Sequence, residues 1–195
     1  MIILGLTGSI GMGKSTTAQM FRDEGCPVFD ADAAVHDLYA KGGKAVPIIK
    51  AVFPDAVKHD AVDRAVLGQY MRADPIDLQV LESFVHPMVS ESREAFFKNY
   101  KDADIVIMDV PLLFETSLDK AVHHVVVVTA PYKVQRQRVL ARDGISEDLF
   151  ESLLSRQMPD EEKRKRADFL IFTDKGLENA RKQVQKILRE LRLKT

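Results

Sequence analysis

Several things are missing from this chain of 195 residues, and each absence excludes a class of function. There is no excess of one charge: Lys and Arg total 28 against 29 Asp and Glu, a formal net of −1. Such a chain has no global field to hold nucleic acid or an anionic membrane, so neither is expected as a partner. There is no second cysteine. Cys26 alone excludes an internal disulfide and a multi-cysteine metal site, and it fits a reducing compartment. No apolar run approaches the roughly 20 residues of a helical membrane span. Met1 to Leu6 is apolar, but it has no basic flank and runs straight into a Gly-rich motif, unlike a secretory signal. The expected location is therefore cytoplasmic. Repeats, low-complexity tracts and long linkers are absent as well. What remains is globular composition, 46% hydrophobic and 29% charged, at a length that suits one ordinary domain with a small appendage.

Ile2 to Leu6 is a short run of strand formers, the pattern of a parallel strand covered on both faces. Gly8 to Gly13 reads as a loop, and Ser15 to Glu24 as a helix stopped by Gly25. Val28-Phe29 starts a second strand that ends at Asp30. Three more strands are expected: Ile105 to Met108 ending at Asp109, Val125 to Val128 ending at Thr129, and Phe169 to Phe172. Pro131 starts a helix carrying Val134, Arg138 and Arg142, Ser146 caps another, and Leu177 to Leu191 is an amphipathic terminal helix. Residues 31–100 read as mostly helical, with turns at Gly42-Gly43 and Pro54-Asp55. Asp74-Pro75 starts a helix there that Pro87 should kink or break near His86. Strands alternating with helices predict an α/β fold of three layers around a parallel sheet, with the helical block as an insertion on one side.

Gly8-Ser9-Ile10-Gly11-Met12-Gly13-Lys14-Ser15 matches the phosphate-loop pattern G-x-x-x-x-G-K-[ST] in full, and it lies between a strand and a helix as the pattern requires. Glycines let the backbone curl so that successive N–H groups face phosphate oxygens, and the following helix adds its positive end. Lys14 should reach the outer phosphates, and the Ser15 hydroxyl should ligate Mg²⁺. A small-molecule kinase, a GTPase and a motor or other ATPase all use such a loop. The chain has no N-K-x-D guanine motif (Thr173-Asp174-Lys175-Gly176 is a weak echo) and is short for a motor with coupling elements. A kinase needs an acceptor pocket and an Arg-rich mobile cover, and candidates for both are present.

Asp30 and Asp32 lie just beyond the second strand, at the sheet edge where α/β proteins bind ligands. One carboxylate there can orient an attacking hydroxyl or take its proton, and another can help hold Mg²⁺ through water. Capping of the next helix explains Asp32 equally well. Asp109 ends an apolar strand, as the Mg²⁺-side acid of many P-loop proteins does. In the following loop, Leu112 to Phe114 read as core. Arg136, Arg138, Arg142 and Arg156 flank Asp143-Gly144, and Arg138 and Arg142 are spaced to share one helix face. A guanidinium fork can hold phosphate oxygens as charge spreads in the transition state. At least one of the four reads as plain surface charge. Lys163-Arg164-Lys165-Arg166 reads as an exposed helix face. His86 is either a hydrogen-bonded core residue or part of an acceptor site. His123 and His124 lack other ligands at metal spacing, so no zinc site is expected, and Cys26 reads as structural.

Taken in order, these segments resemble the dephospho-CoA kinase family. Leu6 to Thr16 resembles the family's opening, Asp30-Ala31-Asp32 its D-A-D, and His86-Pro87 its H-P motif. Pro111-Leu112-Leu113-Phe114-Glu115 resembles its P-L-L-[FY]-E segment; Arg156-Gln157 and Ala167 to Ile171 resemble its late R-Q and A-D-x-[VI]-I elements. One departure is that Thr173-Asp174-Lys175-Gly176 stands where many members carry an Asn before the Gly near the adenine. The resemblance implies the last step of coenzyme A synthesis: ATP phosphorylates the ribose 3′-hydroxyl of dephospho-CoA, with Mg²⁺, and no obligate protein partner.

The implied fold is the nucleoside-monophosphate-kinase type with a five-stranded parallel sheet: a nucleotide-binding core of 1–30 and 101–195, a lid at about 140–166, and a helical CoA-binding insertion at 31–100. By the same resemblance, Gly8, Gly11, Met12, Gly13, Lys14, Ser15 and Thr16 bind ATP. Asp32, Lys14, Arg138 and Arg142 serve the transfer. Asp32, His86, Leu112 and Glu115 meet the acceptor, and Ser15, Asp30 and Asp109 serve the metal. Two rival readings are a kinase for another small acceptor, such as a nucleoside monophosphate, and a non-enzymatic nucleotide-dependent binding module. The arginines and the Asp30/Asp32 pair argue against the second.

Overall fold

The computed structural model describes residues 1–193. In chain order its elements are β1 (Ile2–Thr7), α1 (Lys14–Asp23), β2 (Val28–Asp30), α2 (Ala31–Tyr39), α3 (Val46–Val52), β3 (Val57–Lys58), β4 (Ala61–Val62), α4 (Arg64–Ala73) and α5 (Pro75–Asn99). Then follow β5 (Ile105–Asp109), β6 (His124–Thr129), α6 (Tyr132–Leu140), α7 (Glu147–Ser155), α8 (Asp160–Lys165), β7 (Phe169–Phe172) and α9 (Leu177–Leu193). The chain divides into two compact units, Asp30–Asn99 and the remainder on either side of it.

The larger unit is built on a five-stranded parallel sheet in the order β2-β5-β1-β6-β7. The apolar runs form central strands because both faces of the sheet are covered. All five residues of β5 are buried, as are the last five of β6. Helix α9 lays Ala180, Val184, Ile187, Leu188 and Leu191 into the core, and α1 adds Ala18, Met20 and Phe21. Each set recurs at helical spacing, so one stripe of each helix is removed from water. β1 is central, with β5 on one side and β6 on the other. The strand order reverses there, so the loop after β1 opens at the position where such sheets bind ligands.

The Asp30–Asn99 unit has its own core of Leu38, Tyr39, Ala45, Ile49, Phe53, Ala56, Leu67, Leu81 and Val85. It also contains a small antiparallel hairpin of β3 and β4, which the sequence pattern does not announce. His59 and Asp60 form its two-residue turn, both with positive φ (53° and 63°). That geometry usually calls for Asn-Gly or Asp-Gly, so the signal is absent.

Two further expectations are corrected. Pro87 does not break its helix: α5 runs unbroken through it for 25 residues. A proline costs one backbone hydrogen bond, but Leu81 and Val85 before it and Met88 and Val89 after it pack on one core and keep both halves in line. Arg142 does not share a helix face with Arg138, because α6 ends at Leu140. Phe21 is fully buried among the sheet-facing residues of α1. Phe21→Ala should cost about 3–5 kcal/mol of stability, read as a lower urea midpoint at unchanged slope; a loss under about 1 kcal/mol would contradict this packing.

Candidate active site

The loop between β1 and α1 is shaped by backbone demands that only glycine meets. A side chain at Gly8 would lie 2.6 Å from the Val128 carbonyl oxygen. Gly11 has φ +78°, and a Cβ there would fall 2.5 Å from Val139 Cγ2. Gly13 is the N-cap of α1 and gives it no side-chain cap. The first amides of that helix therefore keep their capacity for an anion.

Side chains from elsewhere in the same unit brace the loop. Gln135 Nε2 donates to the Ile10 carbonyl at 2.8 Å, and the Ile10 N–H donates to Gln157 Oε1 at 3.1 Å. Thr173 Oγ1 donates to the Met12 carbonyl at 2.8 Å and accepts from Arg138 at 2.8 Å. Arg138 also donates to the Thr173 carbonyl at 2.8 Å and to the Gly11 carbonyl at 3.4 Å. A cavity of about 350 Å³ opens beside the loop, lined among others by Gly11, Gly13, Thr16, Arg138, Arg142 and Thr173. Ser15 and Thr16 at the start of α1 are exposed.

The parallel register sets Asp109, the last residue of β5, against Leu6 of β1. Its carboxylate is therefore delivered to the edge where the loop begins. Asp109 is 2% exposed and lies 2.5 Å from Lys14 Nζ, itself 14% exposed. A buried carboxylate is costly without such a partner. The lysine and the acid are thus held together at the mouth of the loop.

The segment after Asp109 is tied down. Leu113 and Phe114 are buried as core, whereas Leu112 is exposed and departs from that reading. Glu115 Oε1 accepts from the Met158 N–H at 2.7 Å and pairs with Lys163 at 2.9 Å. Burial pushes the Glu115 carboxyl up, but donation from Met158 and from Lys163 outweighs it, and the group is held below its ordinary pKa. Lys163 corrects another expectation. It was grouped with an exposed basic run, yet its side chain is wholly buried. The run is not one face: Arg164 stacks over Phe172 and Arg166 over Phe114, each 5.8 Å from the ring centre.

The larger unit thus brings Lys14, Asp109, Gly11, Gly13, Thr16, Arg138 and Arg142 around one loop and cavity. Arg136 is used otherwise, paired with Glu147. Asp30, Asp32 and His86 belong to the Asp30–Asn99 unit. Asp30, not Asp32, caps α2, accepting from the Ala33 N–H at 3.0 Å. Asp32 follows in the first turn and is exposed, and His86 is exposed on α5 rather than in a core. Among the described residues no cluster of three His, Cys, Asp or Glu could hold a metal by itself. No helix of the described chain is long and apolar enough to cross a membrane. Sequence reasoning gave no site role to Gln135, Gln157, Thr173 or Lys163. The available hints were Gln157, in the R-Q element, and Thr173, in the segment that departs from the family pattern.

The dephospho-CoA kinase family model matches residues 2–179. A dephospho-CoA kinase of Ruegeria pomeroyi is 54% identical over 97% of this chain and 95% of its own length. One from Mesorhizobium japonicum is 52% identical over 98% of each. Among solved structures, the crystal structure of TT1252 from Thermus thermophilus is similar with a TM-score of 0.83 and 36% identity, covering 97% of both chains. The loop geometry makes one position decisive. Gly11→Ala forces a Cβ against Val139 in a left-handed backbone. Affinity for a fluorescent nucleoside triphosphate should fall at least tenfold in titration; an unchanged affinity would remove the loop from nucleotide binding.

Proposed function

The chain belongs to the dephospho-CoA kinase family, and we propose that its residues divide the work of that family's reaction between the phosphate loop and an aspartate at the start of α2. The protein is an ATP-dependent kinase that moves the γ-phosphoryl group of ATP to the ribose 3′-hydroxyl of dephospho-CoA, giving CoA and ADP. The observation that carries the assignment of roles is the buried Lys14–Asp109 pair at the mouth of the loop.

The amides of Gly8 to Thr16 hold the phosphates. Lys14 leaves Asp109 for the outer phosphate oxygens when the nucleotide enters, exchanging one anion for another. Arg138 and Arg142, both on the wall of the cavity, neutralise charge as it spreads over the transferring group. Phosphoryl transfer asks for position and charge compensation more than covalent help, so a rigid loop and two arginines beside it suffice.

The donors suit Mg²⁺. The Ser15 hydroxyl and the Asp109 carboxylate are hard oxygen ligands, and this ion keeps several waters and takes only one or two protein groups. Asp30 can act through such a water. When bound, the ion offsets the negative charge of the β- and γ-phosphates.

Asp32 orients the 3′-hydroxyl and accepts its proton. Two observations support that role: the carboxylate is exposed, and the capping of α2 is already done by Asp30. The exposed His86 and Leu112 are assigned to the acceptor, together with Glu115, whose Oε1 is already shared by Met158 and Lys163. Residues 31–100 are the acceptor-binding insertion and about 140–166 the lid. We place the enzyme in the cytoplasm, where ATP is its co-substrate and its one cysteine stays reduced; its partners are then ATP and dephospho-CoA.

A coupled ADP-release assay tests the reading with dephospho-CoA, AMP, CMP and adenosine as rival acceptors. ADP release stimulated by dephospho-CoA is expected, and preference for a mononucleotide would favour another small-molecule kinase. Asp32→Asn keeps the shape but cannot take the proton. Its kcat should fall about 10²-fold or more with either KM changed by less than about threefold. Near-normal kcat would remove Asp32 as the base and shift that role to Asp109.

A further inference from the structure

Lys163 has no part in the mechanism above, yet its ammonium is fully buried. It donates to the Pro111 carbonyl at 3.2 Å and pairs with Glu115 Oε1 at 2.9 Å. The Pro111 carbonyl is shared: Thr7 Oγ1, from the last residue of β1, donates to it at 2.9 Å. Burying an ammonium is costly, and an apolar side chain of similar volume serves stability as well or better. Stability alone therefore does not account for a lysine here. What the ammonium adds is a pair of directed bonds to two oxygens of one loop, the loop that starts immediately after Asp109.

The neighbours of Lys163 reach the same sheet edge. Gln157 Oε1 accepts from the Ile10 N–H in the phosphate loop at 3.1 Å. The Met158 N–H donates to Glu115 at 2.7 Å, and Asp160 Oδ2 accepts from Thr129 Oγ1, at the end of β6, at 2.7 Å. The seven residues from Gln157 to Lys163 thus strap together the chain after β1, the chain after β5 and the end of β6. Lys163 is the member that holds the loop adjoining Asp109.

Resting on the kinase reading, we propose that Lys163 is a positioning residue for phosphoryl transfer: through the Pro111 carbonyl and the Glu115 carboxylate it fixes the loop after β5, and with it the placement of Asp109 against Lys14 and the phosphate loop. Neither of these two bonds reaches the phosphate loop itself. Its loss should therefore disturb the reacting geometry more than the grip on nucleotide. A misplacement of about 1 Å in such a site costs on the order of 10²-fold in rate.

The test compares wild type, Lys163→Met and the double variant Lys163→Met/Glu115→Gln in kcat, ATP affinity and thermal unfolding, each assayed well below its own midpoint. Methionine keeps the stem and removes the donor. The double variant also removes the carboxylate charge that the single change strands, so it folds if that charge is what unfolds the single. Both variants should lose at least tenfold in kcat while ATP affinity stays within threefold. Wild-type kcat in the double variant overturns the proposal. So does ATP affinity that falls in step with kcat, or a loss that tracks the unfolded fraction, because either marks a merely structural lysine. A wild type inert toward dephospho-CoA overturns the kinase reading and this role with it. An active wild type beside an unimpaired variant overturns the role alone.

Discussion

A buried ion pair organises this molecule's working edge. Asp109 is 2% exposed, and the Lys14 ammonium beside it offsets the cost of that burial. The parallel register of β1 and β5 sets Asp109 against Leu6, and the loop after β1 curls back to bring Lys14 to 2.5 Å from it. The curl depends on Gly8 and Gly11, where a side chain would strike Val128 or Val139, and on the left-handed backbone of Gly13 (φ +94°). Register, glycine placement and charge compensation are therefore one constraint. A change in any of them moves Lys14.

Around that pair the structure spends side chains on holding backbone still. Gln135, Gln157, Thr173 and Arg138 all bind carbonyl or amide groups of the phosphate loop. Preorganised dipoles stabilise developing charge without reorganising at the moment of reaction, which is where most of the catalytic advantage of such a site lies. Arg138 is anchored to Thr173 and also stands at the wall of the cavity. The segment from Gln157 to Lys163 extends the bracing across the ends of three strands. Helix α7 precedes this strap in the chain, so the segment that follows α7 and the phosphate loop share an anchor.

Much of the larger unit was legible because its signals are local. Ile2 to Leu6, Ile105 to Met108 and Val125 to Val128 are apolar without alternation, which only a sheet covered on both faces explains. The phosphate loop could be read for the same reason, since its glycines, lysine and serine fall at fixed spacing within one short segment. What escaped depends on partners far along the chain. Lys163 sits in a run of four basic residues, and nothing nearby tells that Pro111 and Glu115 will enclose its ammonium. The β3–β4 turn uses His59-Asp60 in place of the glycine that marks such turns. Pro87 carries a breaking signal that packing on both sides of it overrides. Asp30 and Asp32 show the limit most clearly: their spacing alone does not say which one caps, and the Ala33 N–H decides it in favour of Asp30.

The central claim is that the lysine held by Asp109 acts on the nucleotide during transfer. Lys14→Ala, measured for turnover and for equilibrium binding of dephospho-CoA, addresses it directly. The account predicts that kcat falls by about 10²-fold or more, the scale of a lost electrostatic stabiliser, while dephospho-CoA binds within about threefold of wild type. Turnover equal to wild type would contradict it.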